Sequence, residues 1–313
     1  MKIKKRGALN ISFGWLFAII VGAFILFLAV YISIKVIGIG QTQTNVASSE
    51  QFGILLNPLE TGFESGTNNT MTFPAETRIY NKCSDSGNFG EQTIGISQES
   101  FNKWTDEQDS VFYNKYIFSD SIIEGKKFYL SSIPFDYPFK IGDLIFLTSK
   151  EYCFVDATKD IEEEISIFGN VKTENCSTQS IKVCFNRNCD INVNYIQGYL
   201  DKSSLYKRDL GEKAEDNTRL YFTGNLMYAA IFSDEQTYNC QTKRLMKRTD
   251  QLASLYIDKI NFMRNRCQSE LDIDLLSLKN SAANYQGSED FIAIDPIVKS
   301  IKQKNEVNEC PIF

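Results

Sequence analysis

Residues Ile11 to Ile34, ISFGWLFAIIVGAFILFLAVYISI, run for 24 positions without a charged side chain, directly behind the basic start MKIKKRG. As a helix rising ~1.5 Å per residue this stretch is about 36 Å long, enough to cross a ~30 Å hydrocarbon core with some tilt. Lys2, Lys4, Lys5 and Arg6 favour a cytoplasmic N-terminus. The rest of the chain is then expected outside the cytoplasm, on a single-pass anchor in the cell membrane. A cleaved secretory signal has an apolar stretch of only ~7–15 residues followed by a small-residue cleavage site. This stretch is longer and continues as VIGIGQTQT with no A-x-A site. An uncleaved signal anchor is one expectation.

A second expectation comes from the other end of the helix. Lys5-Arg6-Gly7-Ala8, followed at once by an apolar helix, resembles the class III leader of archaeal type IV pilins and archaellins over roughly residues 4 to 60. The resemblance implies cleavage between Gly7 and Ala8, before the apolar helix, with Phe13 at the family's aromatic position. The family's glutamate, five residues into the mature chain, is here Ser12. That glutamate helps set subunit register, so its replacement bears on polymerisation more than on processing. Within the helix, Gly14, Ala18 and Gly22 are spaced by four. This small-residue ridge would let another helix approach closely.

The chain has 313 residues, 43% hydrophobic and 13% aromatic, which supports a folded core rather than a disordered stalk. Net charge is −6, and loss of residues 1–7 with their four cations would leave about −10. A nucleic-acid binder needs a broad basic face, so nucleic acid is not an expected partner. Eight cysteines, at 83, 153, 176, 184, 189, 240, 267 and 310, all lie beyond the apolar helix. An even number in the exported part reads as up to four disulfides, with 105 conceivable pairings. Cys240 and Cys267 bracket one helical pattern; a straight helix would hold them ~40 Å apart, far beyond the ~7 Å reach of a bridge. Cys310 is placed to fold back to either. Cys176, Cys184 and Cys189 are close enough for a local staple, and Cys83 and Cys153, each ending a strand-like run, are expected to pair across a sheet. Zinc is not expected, because no CxxC pair and no histidine accompany Cys184-x4-Cys189.

Residues 41–57 can continue the apolar helix until Asn57, which precedes Pro58, and 61–70 reads as a connector. From 71 to about 232, runs such as TRIYNKC, EQTIGIS, SVFYNKYIF, KFYLSSI, DLIFLTS, YCFVDA, IKVCF, INVNYIQGYL and TRLYF carry the β-branched, aromatic and alternating character of strands. Ile161, Ile165 and Phe168 mark one interrupting helix over 158–168. From 235 to 285 the pattern is helical, with Leu245, Leu252, Tyr256, Ile260 and Met263 on one stripe. Between Cys240 and Cys267, seven cations (Lys243, Arg244, Lys247, Arg248, Lys259, Arg264, Arg266) face only Asp250 and Asp258. They read either as a docking face for an acidic partner, lipid headgroups or acidic glycan, or as a solvated face answering acidic neighbours. Residues from about 286 look loosely ordered unless Cys310 is tethered. Asn68-Asn69-Thr70 and Asn175-Cys176-Ser177 fit the glycosylation pattern in stretches that read as loops; a bridge at Cys176 would compete with the second.

With no histidine in the chain, Ser-His-Asp and Cys-His catalysis and His-ligated metals are excluded. No Walker A or GxSxG string occurs, and Gly38-Ile39-Gly40 has no strand before it. Carboxylate-pair chemistry needs no histidine, and its candidates are Asp106, Glu107 and Asp109, the run Glu162 to Glu164, and Asp272 with Asp274. Such clusters are more often solvated faces, and there is no EF-hand spacing.

The sequence therefore predicts an α+β chain with a leader (1–10), one transmembrane helix (11–40), a helical extension and linker (41–70), a mainly antiparallel β-rich extracytoplasmic domain (71–232) and a C-terminal helical segment and tail (233–313), all stapled by disulfides. The expected role is a non-catalytic, pilin-like structural or assembly protein without cofactor or metal. Its expected partners are membrane lipid and other pilin-like subunits through the helix. The competing role is a monomeric, signal-anchored binding or envelope-organising protein.

Overall fold

The structure, a computed structural model, describes residues 14–33, 67–100, 102–203, 218–264, 269–308 and 310–313. Ser12, Phe13, the Gly7–Ala8 junction, the helical extension, most of the linker, Arg266 and Cys267 lie outside the described residues. The chain divides into two units, Met1–Ala47 and Ser48–Phe313.

In the first unit, α1 (Gly14–Ser33) is a helix long and apolar enough to cross a membrane, and none of its surface is buried. Gly14, Ala18 and Gly22 are all exposed on it, and a Cβ at either glycine would meet nothing within 4 Å.

The second unit is mixed α+β. The first sheet contains β1 (Thr67–Ser84), β2 (Glu91–Ser100), β3 (Lys103–Trp104), β4 (Gln108–Phe112), β5 (Tyr116–Phe118), β6 (Ile122–Asp136) and β7 (Lys140–Thr148), in the order β3-β2-β1-β6-β7-β5, with β4 also on β2. Its pairs are antiparallel except β5 with β7. Between Thr72 and Thr77 β1 slips out of register with β6. Pro74 falls inside this bulge, the strand site that tolerates a missing N–H.

Neighbouring residues of β5 and β7 serve opposite faces of this sheet. Phe118, Leu144 and Phe146 join the larger core. Ile117, Ile145 and Leu147 join a smaller one with Ile79, Ile94, Ile96, Ile123, Phe128 and Leu130. That two-sided burial explains the unbroken apolar runs YIF and LIFL, where a one-sided strand would alternate.

The second sheet contains β8 (Tyr152–Val155), β9 (Val171–Lys172), β10 (Ile181–Cys184), β11 (Ile191–Asn194), β12 (Tyr199–Lys202) and β13 (Thr218–Tyr221), in the order β13-β12-β11-β10-β8-β9. Its β11–β12–β13 part is antiparallel, but β11–β10–β8–β9 is parallel, so a mainly antiparallel sheet describes only the first. A parallel partner needs a crossover, and the chain between β8 and β9 supplies one in α2 (Lys159–Ile165). The three positions read as its inner face, Ile161, Ile165 and Phe168, are all buried.

The helices that follow are α3 (Leu226–Phe232), α4 (Glu235–Met263), α5 (Asp272–Ala283), a 3-10 turn (Ser288–Asp290) and α6 (Phe291–Val307). They share the larger core with the second sheet and one face of the first, so the helical segment is part of the same body as the β region. The stripe on α4 faces this core: Leu245 and Ile260 are buried, with Leu252 and Tyr256 partly so.

Two expectations need correction. Leu226–Phe232 is a helix rather than strand; all seven residues are buried, and burial on every side erases the polar face from which periodicity is read. The pattern from 235 to 285 is helical as expected, in two helices. With Cys310 bonded, residues from 286 are ordered: Phe291, Ile294, Val298 and Ile301 of α6 are buried. The tail beyond α6 is pinned where Asn305 accepts from Ile312 N at 2.6 Å and donates to Phe313 O at 2.8 Å. The connector gives way to β1 from Thr67, so Asn68 lies on a strand opposite Ser131 rather than in a loop.

The disulfides are Cys83–Cys240, Cys153–Cys176 and Cys184–Cys189, and Cys310 is also disulfide-bonded. Cys184–Cys189 is a local staple of the kind expected. Cys83 and Cys153 do not pair across a sheet. Cys83, at the end of β1, meets the second turn of α4, because α4 rather than another strand covers that end of β1. Cys153, on β8, meets the loop after β9.

Candidate functional site

Two polar grooves meet at Lys150. One, of about 590 Å³, lies between the β5–β6 turn and the start of α4 and includes Asp120, Ser121, Asp234 and Asn239. The other, of about 730 Å³, is lined by Ser149, Glu151, Ser177, Ser180 and Asp190 among others. Lys150 Nζ is 2.6 Å from Asp120 Oδ2, and this ion pair is largely shielded. Asp234 is the N-cap of α4: Oδ1 accepts from Thr237 N at 2.7 Å, as a capping aspartate should. Its Oδ2 accepts from both N and Oγ of Ser121, which ties the β5–β6 turn to the helix. In the second groove Asp190 accepts from Lys182 N at 2.9 Å. The charged groups that line these grooves therefore hold the fold. Ser121 donates to a carboxylate that already serves as a helix cap, and Lys150 is paired with Asp120. Among the described residues no three metal-type side chains converge.

The cationic surplus of α4 has a different use from either expectation. Arg244 is only 1% exposed. Its guanidinium donates to Phe89 O (3.2 Å), Lys115 O (2.9 Å), Tyr113 O (2.8 Å) and Gln241 Oε1 (2.8 Å). Gly90, at φ +63°, makes room for it, since a Cβ there would lie 2.9 Å from Arg244 Cγ. Gln241 donates to Gln92 Oε1 and to Ile117 O, and Gln92 to Asn81 Oδ1, so the network runs on into the first sheet. Burial lowers the Arg244 pKa, with Tyr116 and Glu91 acting the other way. Lys247 donates to the carbonyls of Asp85 and Gly87, and Lys259 to Ile312 O at 2.6 Å. Among the described cations of this stretch only Lys243 reaches a carboxylate, Asp85, at 3.9 Å. Arg244, Lys247 and Lys259 cap backbone carbonyls that carry no formal charge, and Arg248 and Arg264 donate to the amides of Gln251 and Asn261. Neutral partners of this kind leave an excess in the sequence without matching acids.

The candidate acids are dispersed. Glu107 and Asp109 both pair with Lys82, at 2.8 and 3.3 Å, and Asp106 is exposed. Glu164 accepts from Tyr228 OH at 2.5 Å, Glu162 and Glu163 face solvent, Asp274 pairs with Lys304 at 2.6 Å, and Asp272 accepts from Ile273 N. Of the glycosylation candidates, Asn68 already donates to Ile167 O at 2.9 Å. Asn175 sits at φ +52° beside the bridged Cys176. The buried network around Arg244 was not singled out as a site from the sequence; its one signal was the unmatched charge of α4.

No protein-family model, curated protein or solved structure matches the chain.

Proposed function

We propose that the protein is a membrane-anchored, extracytoplasmic, non-catalytic structural or assembly component of pilin-like architecture. The observation that carries the reading is α1: twenty residues of apolar helix with no part buried, in a chain whose other unit is closed by disulfides. A helix of this kind is stable only with lipid or other helices around it, and disulfides of this kind persist in an oxidising compartment. The basic leader sets the direction. The polar grooves support a non-catalytic role, because Asp234 caps a helix, Asp190 accepts from a backbone N–H, and Lys150 and Asp120 pair with one another. The alternative, a monomeric signal-anchored binding protein, is favoured by one residue: Ser12 stands where the pilin leader pattern has glutamate.

The test is topology in intact cells. A membrane-impermeant amine reagent is expected to label Lys126, which is exposed, before permeabilisation, and an alkaline carbonate wash is expected to leave the protein in the membrane pellet. Labelling only after permeabilisation, or release into the wash, would contradict the proposal.

A further inference from the structure

The most exposed apolar side chain among the described residues is Ile196, 97% exposed, and its neighbour Tyr195 is 56% exposed. Both sit on the four-residue turn between β11 and β12. The turn is rigid. Gln197 N donates to Asn194 Oδ1 at 3.1 Å, and Asn194 Nδ2 donates to Gln197 Oε1 at 3.0 Å and Tyr199 OH at 3.2 Å. Gly198 takes the left-handed conformation at φ +69°, and its carbonyl accepts from Phe222 N at 2.8 Å. An isoleucine held out on such a turn has little freedom left to lose on binding.

The two flanks of this turn carry opposite charge. On one side Tyr195 stands near enough to Tyr228 to act on its hydroxyl, and that hydroxyl donates to Glu164 of α2. The outer face of α2 presents Asp160, Glu162 and Glu163, all exposed, and among the described residues none of them is in an ion pair. On the other side a groove of about 420 Å³ separates the turn from α6; Ile292, Pro296 and Lys299 line its far wall. Ile292 is 62% exposed. Lys299 is exposed too, with no carboxylate among the described residues within ion-pair distance; Asp295, half-buried one turn before it in the same groove, accepts from Tyr137 OH at 2.7 Å.

An apolar centre with acid on one flank and a cation on the other is complementary to itself. We propose that this face is a two-fold self-association surface: Ile196 of each copy enters the groove beside Ile292 of the other, and Lys299 meets the α2 carboxylates across the axis. The charge pattern favours a second copy over other occupants. A uniformly acidic partner or an anionic lipid surface would be repelled by α2, a uniformly basic one would leave Lys299 unpaired, and a second copy carries both signs in matching places. A two-fold contact requires one patch to serve both sides, and this patch does. The inference rests on this geometry alone and stands whether or not the leader is cut at Gly7.

The test uses the purified full chain in mild detergent. When Ile196→Cys copies are mixed with Ile292→Cys copies, thiol oxidation is expected to give a covalent dimer. Phe262→Cys in place of Ile292→Cys, 85% exposed but far from the turn in sequence, is expected to give none. Lys299→Glu is expected to lower the yield at 196 at least ten-fold, and adding Glu162→Lys with Glu163→Lys to restore it. Because a new thiol can exchange with native disulfides, p-benzoylphenylalanine placed at position 196 provides a second route. Its photoproduct is expected to join the peptide carrying Ile292 of an isotopically distinct copy. A dimer that links through 262 but not through 292, as one formed through α1 would, overturns the proposal. So do indifference to charge reversal and photoproducts with detergent alone.

Discussion

Replacing Arg244 by methionine is expected to destabilise the folded unit by about 3–5 kcal/mol, because it strands several buried acceptors at once. The side chain is 1% exposed and donates to four acceptors. Methionine keeps much of the stem but leaves those oxygens without donors. Each buried acceptor stranded in this way costs ~1–3 kcal/mol, less than additively where water can enter. Arg244→Lys keeps the charge but not the planar fork. One ammonium cannot reach carbonyls presented from residues 89, 113 and 115 at once, so a loss of about half is expected. The measurement is denaturant unfolding of the full chain in mild detergent with disulfides intact. A loss below ~1 kcal/mol for the methionine variant would mean that water replaces the guanidinium and that the network does not hold α4 to the sheet.

Removing Cys83–Cys240, by Cys83→Ser with Cys240→Ser, is expected to cost about 5 kcal/mol in the loop-entropy model. The bridge joins residues 157 apart in sequence, and closing a long loop removes most freedom from the unfolded chain. The same relation gives about 2 kcal/mol for Cys184–Cys189, five residues apart. The paired comparison is the sharper result, because both variants lose the same chemical bond and differ chiefly in loop length. Equal losses from the two double variants, in the same unfolding experiment, would show that local packing rather than chain entropy sets the effect.

The two sites belong to one joint. Cys240, Gln241, Arg244 and Lys247 occupy the first turns of α4 and fasten it to β1, β2 and the loop from Asp85 to Gly90 through a disulfide and a connected set of hydrogen bonds. The interface is polar, so its strength depends on every donor finding its acceptor. Loss of either element is expected to loosen the same contact, and the two effects should be coupled when combined.

How legible this was depends on how local each signal is. Strands with one solvated face, such as INVN and TRLY, alternate, and the sheets contain them where the sequence places them. The stripe Leu245 to Ile260 repeats at helical spacing within the 29 residues of α4. Phe291, Ile294, Val298 and Ile301 are spaced three and four apart as well, but Pro296 and a short polar tail obscured them. Leu226–Phe232 has no polar face at all, so its periodicity is absent rather than weak. The pairing of Cys83 with Cys240 and the role of Arg244 depend on segments 129 to 157 residues apart, a relation that spacing alone does not encode. Arg244, Lys247 and Lys259 looked like part of a surface because their partners include backbone carbonyls, which every residue carries and no composition reveals. The turn at Ile196 was read only as part of a strand-like run, INVNYIQGYL, and its exposure became visible only with the hairpin closed.

The central claim is that the basic leader and apolar helix are an assembly device of the pilin kind. The most direct measurement is the intact mass and N-terminal peptide of the protein extracted from its native membrane, with and without reduction. A chain beginning at Ala8, gaining two mass units for each disulfide reduced, is the predicted result. A chain that still carries Met1 or Lys2 would contradict it and leave the helix as a plain signal anchor.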